Sequence, residues 1–377
     1  MHMSDEAIQK VRGVVIVVLP LVGFLVAVYL LWNRYVFARD MVLLGAMYAV
    51  TLLGIGIGYH RMLTHQGFQA SAWLRGFFIA CGSMAWEGAP IMWAATHIKH
   101  HAHSDEEGDP HSPLEGFWHA HCGWIFAAKN FPEPKTYAPH LLEDSTVVFV
   151  DRFAAVWMAL ALVIPFAFGG WTGLLWGGVV RIFLTTHVTW SVNSICHMFG
   201  HRAFETTDES RNEWVVGLLA FGEGWHNNHH AFPENAFHGL RWWQFDLSGL
   251  LIAGLEKIGL VWNVQRVSEE AMEAQRSYAV RASVSIQEMR RQLLDRIQNA
   301  DAEVQSVVSS AIATLDPAEI ARLETLQRDA VIRLVKMRQF LARATHIKRP
   351  KLLAYRSEID QLLTQVKQAL PQAMTVS

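Results

Sequence analysis

Cysteine is scarce in this 377-residue sequence, and the three present, Cys81, Cys122 and Cys196, form no close pair. That excludes a disulfide scaffold and a thiolate zinc site, and it fits a reducing compartment. No Cys-x-x-Cys-His run offers covalent haem attachment. Charge is missing from two long stretches: residues 13–32 and 41–58 hold no Asp, Glu, Lys or Arg. A cleavable leader is not expected either, because Asp5 and Glu6 precede the first apolar run and no small-residue cleavage site follows it. The formal net charge is only −2, and no nucleic-acid partner is expected.

What is present is apolar and unevenly placed. Apolar residues make up 51% of the chain, with 15 Trp and 20 Phe, a load that suits a membrane interface and an apolar tunnel. An 18-residue helix rises roughly 27 Å, close to the thickness of a hydrocarbon core. Residues 13–32 and 41–58 therefore predict two spans, joined by a short charged link from Arg34 to Asp40. Residues 73–86 are apolar but short, and predict a segment lying on or dipping into the bilayer. A polar stretch from Lys99 to Arg152 follows, with Asp105 to Pro110 as a loop. Residues 153–170 and 174–192 predict a third and fourth span around a Gly-Gly-Trp-Thr-Gly turn. Arg181 and His187 interrupt the last one and should point inward.

The expected fold is all-α: an integral membrane protein with four transmembrane helices, a cytoplasmic helical cap carrying the histidines, and a helical tail. Arg61, Arg75, Lys99, Lys129, Lys135 and Arg152 crowd the 59–152 segment, while the turn between the last two spans has no Lys or Arg. The positive-inside rule then puts both termini and the histidines in the cytoplasm. Residues 1–265 read as one domain and 266–377 as another. This second part holds 17 of the 32 Lys and Arg but 13 of the 34 Asp and Glu, so it is net basic. Asp316-Pro317-Ala318-Glu319 is a helix start, with a capping Asp and a Glu three residues on. Pro350 marks a break before a further helix to about Leu370. The plain expectation is a solvated hairpin packing on itself; the sharper one is a docking arm for anionic lipid or a redox partner.

The 19 histidines are grouped. His60 and His65 stand five apart where the second span ends. His97, His100 and His101 form one His-x-x-His-His group, and His226, His229 and His230 form another. On a helix, residues three or four apart share a face, so each group can aim three imidazoles into one volume. Eight imidazoles exceed the positions of one transition ion, which implies two. Imidazole suits Zn, Cu, Fe and Ni, and all-nitrogen ligation of a pair fits redox iron and O₂ better than hydrolysis. Asn193 and His197 lie four apart at the end of the fourth span; spacing alone leaves His197 as either a ligand or a structural residue. Glu223, beside the third group, is either an orienting partner for an imidazole or a helix cap. His103, His111, His119, His121, His187, His201 and His238 read as non-ligands.

Together these residues resemble the membrane fatty-acid desaturases, specifically the acyl-CoA Δ9 (stearoyl-CoA) branch, from the first span to Val264. His60–His65, His97–His101 and Gly222 to Pro233 are similar to that family's three histidine boxes in order and separation. Asn193-Ser194 with His197 is similar to its fourth metal element, where the His is a ligand and the Asn acts through a water. Asp109-Pro110-His111-Ser112-Pro113 and Gly116-Phe117-Trp118 also match this branch. The resemblance implies two Fe ions, O₂ as co-substrate, and a cis double bond introduced into a saturated acyl chain, with acyl-CoA as substrate. It implies that Trp93, Thr189 and Trp190 line the tunnel bend, with Glu87 at a polar tunnel position where animal members have Gln. Ala95-Thr96 stands where animal members carry charged CoA contacts, which leaves the carrier open between CoA, carrier protein and phospholipid. No His-Pro-Gly-Gly element occurs, so electrons should come from a separate ferredoxin or cytochrome b5-like protein with its reductase. A bacterial cytoplasmic membrane is the expected location. Two other readings remain: a membrane diiron alkyl or fatty-acid hydroxylase with similar boxes, and a metal-binding or transport protein.

Overall fold

The computed structural model describes residues 4–32, 36–312, 315–343 and 349–369, without the side chains of residues 5, 31–32, 277–284, 343 and 349–350. Arg34, part of the expected link, lies outside them, as does Leu370. The chain divides into two compact units, Met1–Arg276 and Ser277–Ser377, a boundary eleven residues beyond the compositional one at 265.

The first unit is built on long apolar helices. Among the described residues, three are long and apolar enough to cross a membrane: Glu6–Leu30, Ala38–Thr64 and Ala154–Met198. The first starts earlier than the absence of charge suggested, because Ser4 accepts a hydrogen bond from the Ala7 N–H and caps it. Its outer surface exposes Val11, Leu19, Val22 and Leu25, which is stable only against lipid or another apolar surface. The 45-residue Ala154–Met198 stretch is not straight. Gly170 takes φ 61° and ψ −149°, a conformation that only glycine adopts readily. The chain folds back there, so that Gly177 lies against Pro165 and the Arg181 guanidinium reaches the Ala161 carbonyl.

Polar contacts fix the two ends of this bundle. At one end, Arg39 donates to the Gly169 carbonyl and Thr172 donates to the buried Asp40. This joins the start of the 38–64 helix to the Gly170 turn. At the other end the same helices deliver His60 and His197. Arg181 is fully buried between them and donates to the carbonyls of Met84, Ala161 and Gly177. It points inward, as expected of a guanidinium at that depth. His187 meets His121 at 2.9 Å. The 73–86 stretch forms the helix Ala72–Ser83, which packs on the 54–64 segment. All three cysteines are free.

Two corrections apply to the all-α expectation and the tail. Gln69–Ala70 pairs antiparallel with Val261–Trp262, a two-residue ladder that closes the histidine end. The tail is not a hairpin: three helices, Glu269–Ile312, Pro317–Arg343 and Arg349–Gln368, share one core. In the first, Leu293, Ile297, Ala300, Val304 and Val308 recur at three- and four-residue steps and are buried. The Pro317 helix starts as read: Asp316 accepts from the Ala318 and Glu319 N–H groups, and Glu319 accepts from the Asp316 N–H.

Candidate metal centre

The first histidine pair depends on an unusual helix. Residues five apart on an α-helix point roughly 140° away from each other at 3.6 residues per turn. Gly54–Thr64 is instead a π-helix, and the His65 N–H reaches the His60 carbonyl five residues back. The two rings therefore face the same way, with centroids 4.9 Å apart.

The second pair of boxes sits on helices as expected, Pro90–His103 and His226–Ala231. The latter has only six residues, too few to hold itself helical. Two asparagines supply what it lacks. The Asn227 side-chain carbonyl accepts from the Ala203 and Phe204 N–H groups at 2.7 and 2.8 Å. The Asn228 amide donates to the His238 carbonyl, and its oxygen accepts from Asn212, each at 2.8 Å. Just upstream, Gly222 has φ 116°, and a Cβ there would lie 2.2 Å from Asp246 Oδ1.

The structure brings nine imidazoles into two adjoining groups. His60, His65, His97, His101 and His229 form one; His100, His197, His226 and His230 form the other. This corrects the reading that each box aims three rings into one volume. His97 and His101, on one helix face, meet at Nε2 3.1 Å apart, but His100 turns to the neighbouring group. The third box divides likewise, His229 to one group and His226 and His230 to the other. The helices of the second and third boxes each lie across both groups, because steps of three and four are close on a helix but not identical in direction. His197 joins the second group, its Nε2 2.9 Å from that of His226. Asn193 lies in the wall of the adjoining cavity.

Carboxylates fix the outward nitrogens. The Nδ1 of His100 meets Asp109 at 3.0 Å, that of His197 meets Asp105 at 3.0 Å, and that of His230 meets Asp208 at 2.7 Å. His60 Nδ1 is bonded to Glu223. A proton held at Nδ1 leaves Nε2 free to act as a ligand. Burial alone would raise the Asp208 carboxyl, but the facing charge of His230 and its hydrogen bond outweigh it and hold the group well below the usual range. Asp109 is held low in the same way by His100. Burial, together with repulsion between the rings, pushes His65, His97, His101, His226 and His229 well below ordinary histidine. They are therefore neutral, the form that binds metal.

Glu223 lies between His60 and Arg61. Its second oxygen accepts from Arg61 Nε and Nη2 at 3.2 and 2.9 Å, and Arg61 also reaches Asp246 and the Ala236 carbonyl. The first box thus pairs with the third through a fully buried guanidinium. Two histidines read as non-ligands press against the groups. His238 Nδ1 lies 3.3 Å from Glu223, and the His111 ring lies 4.3 Å from that of His100. The sequence reading missed Asp105, Asp109 and Asp208 as partners. The two in the 105–110 loop had a weak signal, acidic residues four apart just after a box; Asp208 had none.

The residues present fit a pair of metal ions. His229 Nε2 stands 3.1 Å from His60 Nε2 and 3.0 Å from His101 Nε2. One ring nitrogen has a single lone pair or a single proton, so it cannot bond both neighbours. His65 Nε2 and His100 Nε2 are buried without a hydrogen-bond partner. Nitrogens about 2.1 Å from one ion and at right angles stand about 3 Å apart, which matches these separations. Changing Asp208 to Asn should keep the shape but remove the carboxylate charge that faces His230. Chelator-stripped protein titrated with Fe²⁺ should then bind one ion about 10–100-fold more weakly; unchanged affinity would remove Asp208 from the centre.

A cavity of about 880 Å³ leads to this cluster, reaching His60, His97 and Glu223. Trp93, Thr189, Trp190 and Glu87 line it. Trp93 stacks on His97 with centroids 5.2 Å apart and donates from Nε1 to Glu87 at 3.2 Å. Burial, partly opposed by the bonds from Thr189 and Trp93, pushes Glu87 up to about 7.

The chain is similar in sequence to known proteins. The sequence pattern of the fatty acid desaturase family matches residues 35–253. A hex-5-enoyl-[acyl-carrier protein] acetylenase of Moorena producens (strain JHB) is 40% identical over 280 residues, covering 69% of this chain and 87% of that protein. An sn-1 stearoyl-lipid 9-desaturase of Anabaena variabilis is 43% identical over 215 residues, 56% of this chain and 79% of that one. Delta-9 acyl-lipid desaturase 1 of Arabidopsis thaliana is 41% identical over 226 residues, 59% and 74%.

Proposed function

Because the chain belongs to the fatty acid desaturase family, we propose that it introduces a cis double bond at Δ9 into a saturated acyl chain, using a diiron centre and O₂. The observation that carries this is the pairing of two imidazole groups with one apolar cavity that reaches His60 and His97 of the first. The specific acyl-CoA branch expected from the sequence is replaced by a wider one. The relatives named for the Δ9 position act on acyl lipids and another is named for an acyl-carrier protein substrate, so the carrier stays open between lipid, carrier protein and CoA.

His60, His65, His97, His101 and His229 would hold one iron, and His100, His197, His226 and His230 the other, with Asn193 beside them through a water. When bound, the iron pair would supply the oxidising power, so that O₂, two electrons, two protons and two adjacent methylenes give an alkene and two waters. The chain's residues do the rest. Trp93, pinned between His97 and Glu87, sets how deep an acyl chain runs. Thr189 and Trp190 form the facing wall, and a narrow wall converts many chain poses into few. Glu87, easily neutral near pH 7, costs less against methylenes than a fixed charge would.

The reversal at Gly170 supports reading the two halves of Ala154–Met198 as separate crossings, which makes four with the two helices before it. Positive-inside charge favours an orientation with the histidines and both termini cytoplasmic, and the membrane would be a bacterial cytoplasmic one. Electrons would come from a separate ferredoxin or cytochrome b5-like protein. Residues 1–265 form the desaturase domain; the basic tail has no assigned role. Gas chromatography of lipids from cells expressing the chain, with double-bond position determined, tests the reading. A new Δ9 monoene is the expected product. An alcohol at that carbon would show a hydroxylase instead.

A further inference from the structure

The cavity wall farthest in character from the metal cluster belongs to the N-terminal helix. Ile8, Gln9, Arg12 and Ile16 line the cavity in one stripe. Three contacts hold this helix over residues 123–130. Gln9 donates to the Ile125 carbonyl at 2.7 Å, the Ala128 N–H donates to Glu6 at 3.0 Å, and Gly13 lies flat on the Phe126 ring. His60, His97 and Glu223, at the inner end, are buried, whereas Arg12 is exposed. Exposure of a lining residue marks where the cavity meets the outside.

Arg12 is also the sole Lys or Arg among the described lining residues. No hydrogen bond or ion pair joins it to another described residue. The other exposed lining residue, Leu142, is followed by the exposed Glu143, whose charge repels an anion. A guanidinium offers paired donors matched to phosphate oxygens. At the rim of an apolar cavity it would hold a phosphate while the attached chain runs inward.

We propose that the cavity opens beside the N-terminal helix and that Arg12 takes the phosphate of the carrier, a CoA thioester or a phospholipid. This rests on the reading that the cavity holds an acyl chain. A basic residue at the start of a span can also serve only as an interfacial anchor. Lys10, exposed in the same turn but not lining the cavity, separates the two roles.

The full-length protein in nanodiscs is tested by competition against radiolabelled stearoyl-CoA, and for turnover with a ferredoxin donor system. The competitors are unlabelled stearoyl-CoA, distearoyl phosphatidylglycerol and phosphate-free distearoyl monogalactosyldiacylglycerol. Arg12→Ala should weaken phosphate-bearing ligands about tenfold, the loss of one charge-assisted hydrogen bond. The galactolipid should be unaffected, Arg12→Lys should recover most of the loss, and Lys10→Ala should bind as wild type. Whichever of CoA ester and phospholipid suffers the drop is the carrier that Arg12 holds. If Arg12→Ala does not accumulate in the membrane, Arg12→Gln makes the same test. Equal loss for the galactolipid, the same loss in Lys10→Ala, or no loss at all overturns the proposal. Arg12-dependent binding in a wild type that makes no alkene would instead sink the reaction assigned above and leave the rim site standing.

Discussion

Replacing His229 with Ala should bring acyl desaturation down to background and remove close to one iron per chain, while the protein stays in the membrane. The reason is position. His229 Nε2 lies 3.1 Å from one box-one nitrogen and 3.0 Å from one box-two nitrogen. It is the ring through which the three boxes meet in that group. Losing an orienting carboxylate costs roughly 10–100-fold in metal affinity or activity, and losing the nitrogen itself should exceed that. The fold should tolerate the change, because the six-residue helix is held by Asn227 and Asn228. Iron analysis and product analysis on the same preparation check it. Two irons with retained activity would show that His229 is not a ligand.

The second large effect concerns stability. Glu223→Ala should strip Arg61 of one of its two carboxylates, inside a site where the guanidinium is only 1% exposed. Breaking a buried pair from one side costs about 3–5 kcal/mol, because the remaining charge has no water to turn to. The thermal midpoint of chelator-treated protein should fall accordingly, even with no metal to lose. Asp246 remains and moderates the loss. Removing both partners, Arg61→Leu with Glu223→Leu, should cost less than the two single changes added together. Additive losses would mean that the two groups stabilise the protein independently.

Much of this was legible in the sequence, for physical reasons. Apolar runs must be long to cross a bilayer, so the long helices announce themselves, and Gly169-Gly170 marks the reversal in the last of them. The second and third boxes announce the metal centre because three- and four-residue spacing puts imidazoles on one helix face. Spacing could not show that Gly54–Thr64 winds as a π-helix, so the facing of His60 and His65 was a matter of helix type rather than pattern. It could not show how the His-x-x-His-His groups divide, because that depends on where each helix axis crosses the cluster. Asp208 lies 22 residues from the His230 it orients, in a loop whose course no local pattern fixes. The Asp316 start was readable from four residues, since a cap acts over one turn.

The division of the second and third boxes between neighbouring groups has a further consequence for how this chain can change. A one-residue insertion within His97–His101 would rotate the helix beyond it by about 100°. That would misdirect nitrogens belonging to both pockets together. Such a helix has no half-damaged register, so drift in this stretch must proceed by replacement and never by slippage. The loops that carry Asp105 and Asp208 are under a looser rule: their length can vary as long as an oxygen still arrives behind the ring.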